Sequence, residues 1–409
     1  MDAQSISTLH DLVAEDGRDI VYQQARMSCG LVDLRLPSEE KYRPKPSKQR
    51  FDKPITVKRM AKEVGTVQVK KGGIRAFGVT SDGATRRTGS AVQFNKGTYE
   101  FKVVEGELEI PLGLANVAAG GAGIDYVDEQ LRSLGSQFGA HLDRAVAGTQ
   151  LGAPASTASG TTITVTDPSG YIEGEEYDHY TAGDVYTQTF RVSNIAPPTT
   201  LSGNWTITTE DTLTSSILTT AKIYQSGGGS STNRLTSLTD VCTSATQLYG
   251  LSTTNFPSGI SMALSSWNNI DGRKMSDLIA VISGSRPTHI VTNSLGASKI
   301  LNQSVAQRRF SSGEMDPYAG AVPKFDDLPI VVSEQLSGNT IRFINADKCF
   351  LHEFWPFQFQ GDGVGSGGFG ASVLKLSENN VSYKGLGTGG FEFVVKHRRA
   401  FGEFTSVGD

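Results

Sequence analysis

Apolar residues recur at steps of three and four at Ile124, Val127, Leu131, Leu134, Phe138, Leu142 and Ala145, the spacing that lines one face of an α-helix. Over residues 124–147 such a helix is roughly 35 Å long at about 1.5 Å per residue. Gly120–Gly121 separates it from what comes before, and Gly148 and Gly152 provide a stop. Ahead of the helix the pattern changes to alternation. The runs TVQVKKGGIRAFGVT (66–80) and TYEFKVVEGELEIPL (98–112), broken by Gly72–Gly73 and by the turn signal Asp82–Gly83, predict a long β-hairpin over residues 66–112. A two-stranded ribbon alone is marginally stable in water, so this hairpin must pack on something beyond itself.

The first residues carry little periodicity. A short helix is predicted around Ile20–Met27, and LPSEEKYRPKPSKQRFDKP after it, rich in proline, predicts an extended arm that cannot fold alone. Beyond the long helix, residues 153–210 turn to Thr, Ser and Gly, and TTITVT, YTQTFRVSNI and NWTITTE predict a small β barrel or sandwich. A helix is expected around DTLTSSILTTAKIY (211–224), followed by a hinge at residues 225–231. A mixed region then runs to about 345: RKMSDLIAVIS predicts a helix, THIVTN a buried strand, Asn293 a cap for a helix over SLGASKILNQSVAQ, and LPIVVSEQL and TIRFIN strands. The end of the chain, with CFLHEFWPFQF, ASVLKL, NVSYK and GFEFVVKHRRAFGEFT around a glycine loop at 361–370, is β-rich and aromatic. No internal repeat is visible.

Composition sharpens this picture only in places. At 409 residues the chain has room for two or three domains, and its 46 glycines exceed the average of about 7%, as a turn-rich β protein requires. A charged share of 20% excludes a highly charged disordered chain, and the absence of an 18-residue apolar run makes a soluble protein with no membrane partner the expectation. Cys29, Cys242 and Cys349 lie far apart with no CxxC pair and no His at metal spacing, so three buried thiols are expected. The N-terminus lacks the basic and apolar regions of a signal peptide, which predicts a protein kept in a cytosol.

Charge is informative once it is placed. The net charge is −4, yet residues 41–87 hold fourteen Lys and Arg against three Asp and Glu, a local +11 that leaves −15 for the rest. A segment this one-sided repels itself and calls for an anionic partner: nucleic acid, or the acidic surface of another protein, including a second copy. Lys58, Arg59, Lys70, Lys71, Arg75, Arg86 and Arg87 are its candidate contact residues.

Catalytic chemistry finds no centre. The run from Gly363 to Gly368 fits GxGxxG literally, but a strand rather than a helix is predicted after it, so it reads as a surface loop. There is no phosphate loop, no HExxH and no GxSxG with a later acid and histidine, and the six histidines are scattered. Glu173, Glu175, Glu176, Asp178, His179 and Asp184 form the densest acidic patch, without calcium-loop spacing; it reads as a solvated turn, with an inter-subunit contact or a metal site as alternatives. Phe350, Phe354, Trp355, Phe357 and Phe359 read as sheet core or interface rather than a base-stacking platform, because basic residues are few around them. No enzyme, metal or cofactor is expected.

The order of these pieces resembles the major capsid proteins of tailed double-stranded DNA bacteriophages, whose fold is shared with herpesvirus capsid floors and encapsulins. SRPTHIVTNSLGASKILNQ resembles the strand and helix of that family's axial domain, FDDLPIVVSEQLSGNTIRFINADKCFLHEF its later strands, and FEFVVKHRRAFGEFT its closing peripheral-domain strand. The resemblance implies an α+β fold with an N-terminal arm (1–55), an extended β-hairpin loop with a peripheral-domain strand (56–115), a spine helix (116–152), an inserted β module (153–210), an axial domain (211–345) and a closing β-rich segment (346–409). The insertion is similar to the small β-barrel decorations of some phage coat proteins, which implies a stabilising or interaction role by analogy only.

For function the resemblance implies a shell of hexamers and pentamers enclosing double-stranded DNA without sequence-specific contact, assembled in the host cytoplasm and residing in the virion. No charged helical leader serves as a fused scaffold, so separate scaffold and portal proteins are implied as partners. No residue pattern places the lysine-to-asparagine cross-links that some relatives form. Two other readings stand beside this one: an encapsulin-like compartment, and a β-rich phage surface or adhesin-type binding protein.

Overall fold

The computed structural model describes Val13 and residues 17–34, 53–59, 64–70, 94–111, 122–148, 154–198 apart from 167, 169 and 184, 204–226, 234–307 apart from 244–246, 324–333, 336, 340–359, 375–376, 382–405 and 407. The Asp82–Gly83 turn, the glycine run at 363–368 and most of the expected arm lie outside these residues. Among the described residues no helix is long and apolar enough to cross a membrane.

The largest sheet is built around the strand Ser382–Val395, which is buried along most of its length. Phe391, Phe393, Val394 and Val395 near its end are buried together with Glu392 between them, so both faces of the strand are covered there. Cys349–Phe359 pairs with it antiparallel on one edge, and Lys375–Leu376 continues that edge. Ile55–Arg59 joins Cys349–Phe359 in parallel, and Val32–Asp33 joins Ile55–Arg59. On the other edge lies Lys102–Pro111, in register from Phe391↔Lys102 to Ser382↔Pro111. This corrects the hairpin expected over residues 66–112. Among the described residues Val64–Lys70 and Phe94–Glu100 pair as a ribbon, and past Phe101 the chain joins the large sheet. Burial of Val104, Leu108 and Ile110 there supplies the packing that a bare ribbon lacks.

The long helix spans Ala122–Ala147, close to the expected 124–147, and lays its apolar face on this sheet. Phe138 meets Phe357 and Phe391 at ring-centroid distances of 4.9 and 5.7 Å. The short expected helix forms over Gly17–Ser28 and packs against the long one through two glycines one turn apart. A Cβ at Gly135 would lie 2.6 Å from the Val21 carbonyl oxygen, and one at Gly139 2.5 Å from that of Ala25, so the backbones touch where side chains usually intervene. The buried Asp143 carboxylate then accepts from the Leu31 amide at 3.0 Å and from the Ser333 hydroxyl at 3.1 Å, fastening the chain as it leaves the short helix.

Residues 154–225 form a separate antiparallel sheet in the order Lys222–Gln225, Glu176–Tyr180, Tyr186–Ala196, Trp205–Thr209, Thr162–Val165. Its core is its own, with Ile163, Val165, Tyr177, Phe190, Val192, Ile207 and Ile223 buried together. The helix expected over 211–224 does not form. Ile217 makes a β-bridge to Ala158 and Lys222–Gln225 pairs with Glu176–Tyr180, so the module runs past the expected boundary at 210. The β-branched Thr and Ile of that stretch favour the extended chain, and Ile217, Ala221 and Ile223 enter the module's core.

A third sheet has the order Ile260–Ala263, Gly402–Thr405, Ile341–Ile344, His289–Thr292, Leu328–Val332, Lys324–Phe325, with the helices Asn269–Ser283 and Ser294–Gln307 packed on it. Asn293 caps the second helix as expected, its Oδ1 accepting from the Gly296 amide at 2.8 Å. The segment expected to close the peripheral domain is divided: its first part ends the large sheet at Val395, and Gly402–Thr405 is an inner strand of the third. Between them the fully buried Arg398 donates to the carbonyl oxygens of Asp240, Val241, Thr243 and Phe256. The three cysteines are free and buried.

Gly139→Leu is expected to pry the Gly17–Ser28 helix off the long helix and cost about 1–3 kcal/mol, seen as a lower denaturant midpoint in chemical unfolding.

Candidate interaction surface

Of the seven basic residues singled out in the sequence, the structure describes the side chains of two. Lys58 and Arg59 are neighbours on Ile55–Arg59 and point to opposite faces. Arg59 turns inward and ion-pairs with Glu353, whose side chain is fully buried. The Tyr22 hydroxyl donates to the same carboxylate and accepts from the Phe357 amide at 2.9 Å. Burial, and then the Glu353 charge, push the Tyr22 hydroxyl well above its ordinary pKa, which keeps it a donor. Arg59 is therefore a fastener within the chain. Lys70 ends the strand Val64–Lys70 opposite Phe94. Lys71, Arg75, Arg86 and Arg87 lie outside the described residues.

Lys58 turns outward. Its Nζ sits 4.6 Å above the centre of the Phe350 ring, and the Nζ of Lys396 lies 5.5 Å from the same ring. Partial burial and the Lys396 charge lower the pKa of Lys58. Next to it, burial followed by Lys348 and Arg399 lowers that of His397. Four cations and a histidine thus gather at one end of the large sheet, and among the described residues no carboxylate forms an ion pair with any of the four. Reasoning from the sequence missed Lys348, Lys396 and Arg399, although the run Lys396-His397-Arg398-Arg399 stands in the chain. Its members part company: Arg398 goes to the interior and its neighbours stay outside.

The opposite end of the sheet is acidic. On Lys102–Pro111, Glu105, Glu107 and Glu109 alternate with buried residues and face solvent. Lys384 reaches Glu107 at 2.5 Å and Glu109 at 3.9 Å, in exposed pairs worth little to stability. Alongside runs a groove of about 570 Å³, lined by Lys102, Glu105, Glu107, Gln137, His141 and Glu175 among others.

The root of the hairpin is held between these two ends. Tyr249, with a left-handed φ of 56°, accepts through its carbonyl from the Thr98 amide at 3.1 Å. Its hydroxyl donates to the Phe393 carbonyl at 3.0 Å and accepts from the Val395 amide at 2.9 Å. The Tyr99 hydroxyl meets His352 Nδ1 at 3.1 Å. Glu392, between these residues, accepts from the Thr236 amide at 2.9 Å. Burial lifts its pKa to about 7, the Thr236 hydrogen bonds and Lys102 opposing and Asp240 adding to the rise.

In the acidic patch of the inserted module Glu173, Glu175 and Asp178 have partners within the fold, while Glu176 is exposed. Glu173 accepts from the Ile195 amide at 2.9 Å, Asp178 from the Thr189 hydroxyl at 2.6 Å, and Glu175 lies in the field of the buried Arg144. Asp184 falls outside the described residues, and among the described residues no group of His, Cys, Asp and Glu is arranged to hold a metal ion. The aromatic group packs within the sheet: Trp355 against Phe101 at 4.5 Å, Phe354 against His352 at 4.0 Å, and Phe357 against Phe138.

No family model matches the chain. No curated protein matches it in sequence. Solved structures do match. The capsid asymmetric unit of cyanophage A-1(L) aligns over 86% of this chain and 90% of its own at 9% identity, with a TM-score of 0.50. A structure from Microbacterium phage Oxtober96 aligns over 89% and 92% at 10% identity with a TM-score of 0.46, and a virus-like particle from Pyrococcus furiosus over 96% and 98% at 10% identity with a TM-score of 0.41. At these identities the likeness is one of fold: the chain has the mixed α+β fold of phage capsid proteins.

Arg59→Ala is expected to destabilise the monomer by about 3–5 kcal/mol, because it strands a buried carboxylate, whereas Lys58→Ala changes stability by less than about 1 kcal/mol; chemical denaturation compares the two. Glu392 is about 7 in the folded chain against an ordinary 4.5, so the folded state binds more protons than the unfolded state between those values. The stability this contributes is present below pH 4.5 and is lost as pH rises to 7. Glu392→Gln should flatten that part of the stability-against-pH curve.

Proposed function

We propose that this chain is the structural subunit of a phage-type protein shell, built from many copies of itself. The observation that carries the reading is the likeness to the cyanophage capsid over most of both chains, in a chain whose sequence resembles the same family from its arm to its closing strands. The role is structural rather than catalytic. In its finer form the reading is an icosahedral shell of hexamers and pentamers that encloses double-stranded DNA without sequence-specific contact. The shell assembles in the host cytoplasm and becomes the virion capsid, with separate scaffold and portal proteins as partners. Within the chain, residues 1–55 serve as the arm, 56–115 as the loop that reaches a neighbour, 116–152 as the spine, 153–210 with the stretch up to Gln225 as the inserted module, the rest of 211–345 as the axial domain and 346–409 as the closing segment.

Shell assembly favours contacts that are individually weak, so that errors dissociate, and collectively strong. The basic segment suits that task. Lys58, Lys70, Lys71, Arg75, Arg86 and Arg87 meet acidic surface on adjacent copies, since the segment's +11 faces −15 on the rest of each chain. Arg59, committed to Glu353, supports the segment from inside.

Electron microscopy of the expressed chain, alone and with a candidate scaffold, should show closed particles; a monomer at every concentration and salt would overturn the reading. Particles filled with a protein cargo rather than DNA would favour a compartment. Arg86→Glu with Arg87→Glu should abolish particles while the monomer stays folded by circular dichroism.

A further inference from the structure

Two unbalanced charge clusters sit at opposite ends of one strand. Lys396 follows the last residue of Ser382–Val395, with Lys58, Lys348 and Arg399 beside it. Leu386 of the same strand pairs with Glu107, in the middle of the Glu105, Glu107 and Glu109 row. Ten residues separate Leu386 from Lys396, roughly 30 Å of extended chain. Charges screen each other over about 8 Å at physiological salt, so the clusters cannot neutralise one another within a subunit.

Neither cluster is fully answered locally. Asp347, next to Lys348 in the chain, is exposed and forms no ion pair with the basic cluster among the described residues. In the acidic row Lys384 is shared between Glu107 and Glu109, and Lys102 lies at the near end, while Glu105 forms no ion pair among the described residues. The geometry of the two clusters also matches. The row offers a carboxylate every second residue, about 7 Å apart along an exposed strand. The basic cluster presents cations from three adjacent segments of the sheet, at a strand spacing of about 4.8 Å, around the fixed Phe350 ring.

Resting on the reading of the chain as a shell subunit, we propose that the Lys58, Lys348, Lys396 and Arg399 cluster of one copy docks on the Glu105, Glu107 and Glu109 row of the next. The occupant of each patch is a second copy of this chain. The contact is heterologous, one end of the sheet meeting the other end of its neighbour's, and contacts of that kind close into rings or propagate. It is separate from the contact assigned above to Arg86 and Arg87, and it uses residues that no part of that assignment requires apart from Lys58.

Three charge variants test it. Lys396→Glu with Arg399→Glu leaves two cations against two new carboxylates and so cancels the charge of the basic end, and Glu105→Lys with Glu107→Lys makes both ends basic. Each alone should lower the yield of sedimenting particles at least tenfold at low salt. The chain carrying all four substitutions sets the introduced carboxylates of one end against the introduced lysines of the other and should recover particles. Normal yield from both single-end variants, or no recovery in the four-fold variant when circular dichroism shows it folded, overturns the proposal. So does normal assembly of the Lys396→Glu, Arg399→Glu variant together with lost retention of a DNA oligonucleotide, which would assign the cluster to nucleic acid. A second measurement does not need closed shells. In Glu107→Cys with Lys396→Cys, a bismaleimide of about 10 Å reach cannot bridge the two thiols within one chain. A ladder of cross-linked multimers supports the contact even where microscopy finds no shell; monomers alone, beside an unreactive parent whose cysteines are buried, overturn it.

Discussion

The strand Ser382–Val395 is the constraint on which the rest of the molecule depends. Both of its edges are paired and most of its residues are buried, so it cannot slip by one position without moving Phe391 and Phe393 to the opposite face, and Phe391 away from Phe138. Its register with Cys349–Phe359 sets where Glu353 meets Arg59 and Tyr22, which in turn seats the Gly17–Ser28 helix on the long helix. Past Val395 the chain is drawn through the interior by Arg398 and delivered to the third sheet as Gly402–Thr405. The two larger sheets are thus tied by one continuous piece of backbone anchored through the buried Arg398.

A second tie lies at the end of the long helix. Arg342, almost wholly buried, donates to the Ala147 carbonyl at the helix C-terminus, to Thr239 Oγ1 at 2.7 Å, and pairs with Glu403 at 3.3 Å. A cation is favourable at a helix C-terminus, where the last carbonyls have no partner within the helix. The same guanidinium therefore completes the helix, orients the short Leu238–Cys242 helix through Thr239, and neutralises a carboxylate on the last strand of the third sheet. The inserted module, by contrast, closes its own core, which is why a Thr- and Ser-rich stretch can stand between two parts of a larger fold without unsettling either.

What the sequence disclosed follows from these packing arrangements. The long helix was legible because its apolar stripe faces one continuous surface. The fate of Lys102–Pro111 was not, since alternation looks the same in a free hairpin and in the edge of a large sheet; the difference lies in Ser382–Val395, some 280 residues away. Residues 211–225 misled because Ile217, Ala221 and Ile223 are spaced plausibly for either a helix or a strand, and only the module's core decides between them. The candidate contact residues show the same limit. Lys58 and Arg59 are adjacent and equally basic, yet one is exposed over an aromatic ring and the other is committed to a buried acid, a distinction made by the two-residue period of the strand and the partner that lies beneath it.

The segregation of charge along the central strand has a physical cost that points to association. Lys58 and Lys396 share one ring at close quarters, and burial together with the Lys396 charge disfavours the charge of Lys58. Lys384 only partly offsets the repulsion within the glutamate row, and in the contact proposed above an approaching copy would relieve both clusters at once. Because all of these groups except the ring are at the surface, the gain per contact is modest and falls with salt. That is the energetic profile a self-correcting assembly requires: a subunit attached by one contact leaves readily, and one attached by several stays. The rigid strand makes the arrangement effective, since it holds the two clusters at a fixed separation and orientation in every copy, so that a contact made at one end sets where the other end is presented.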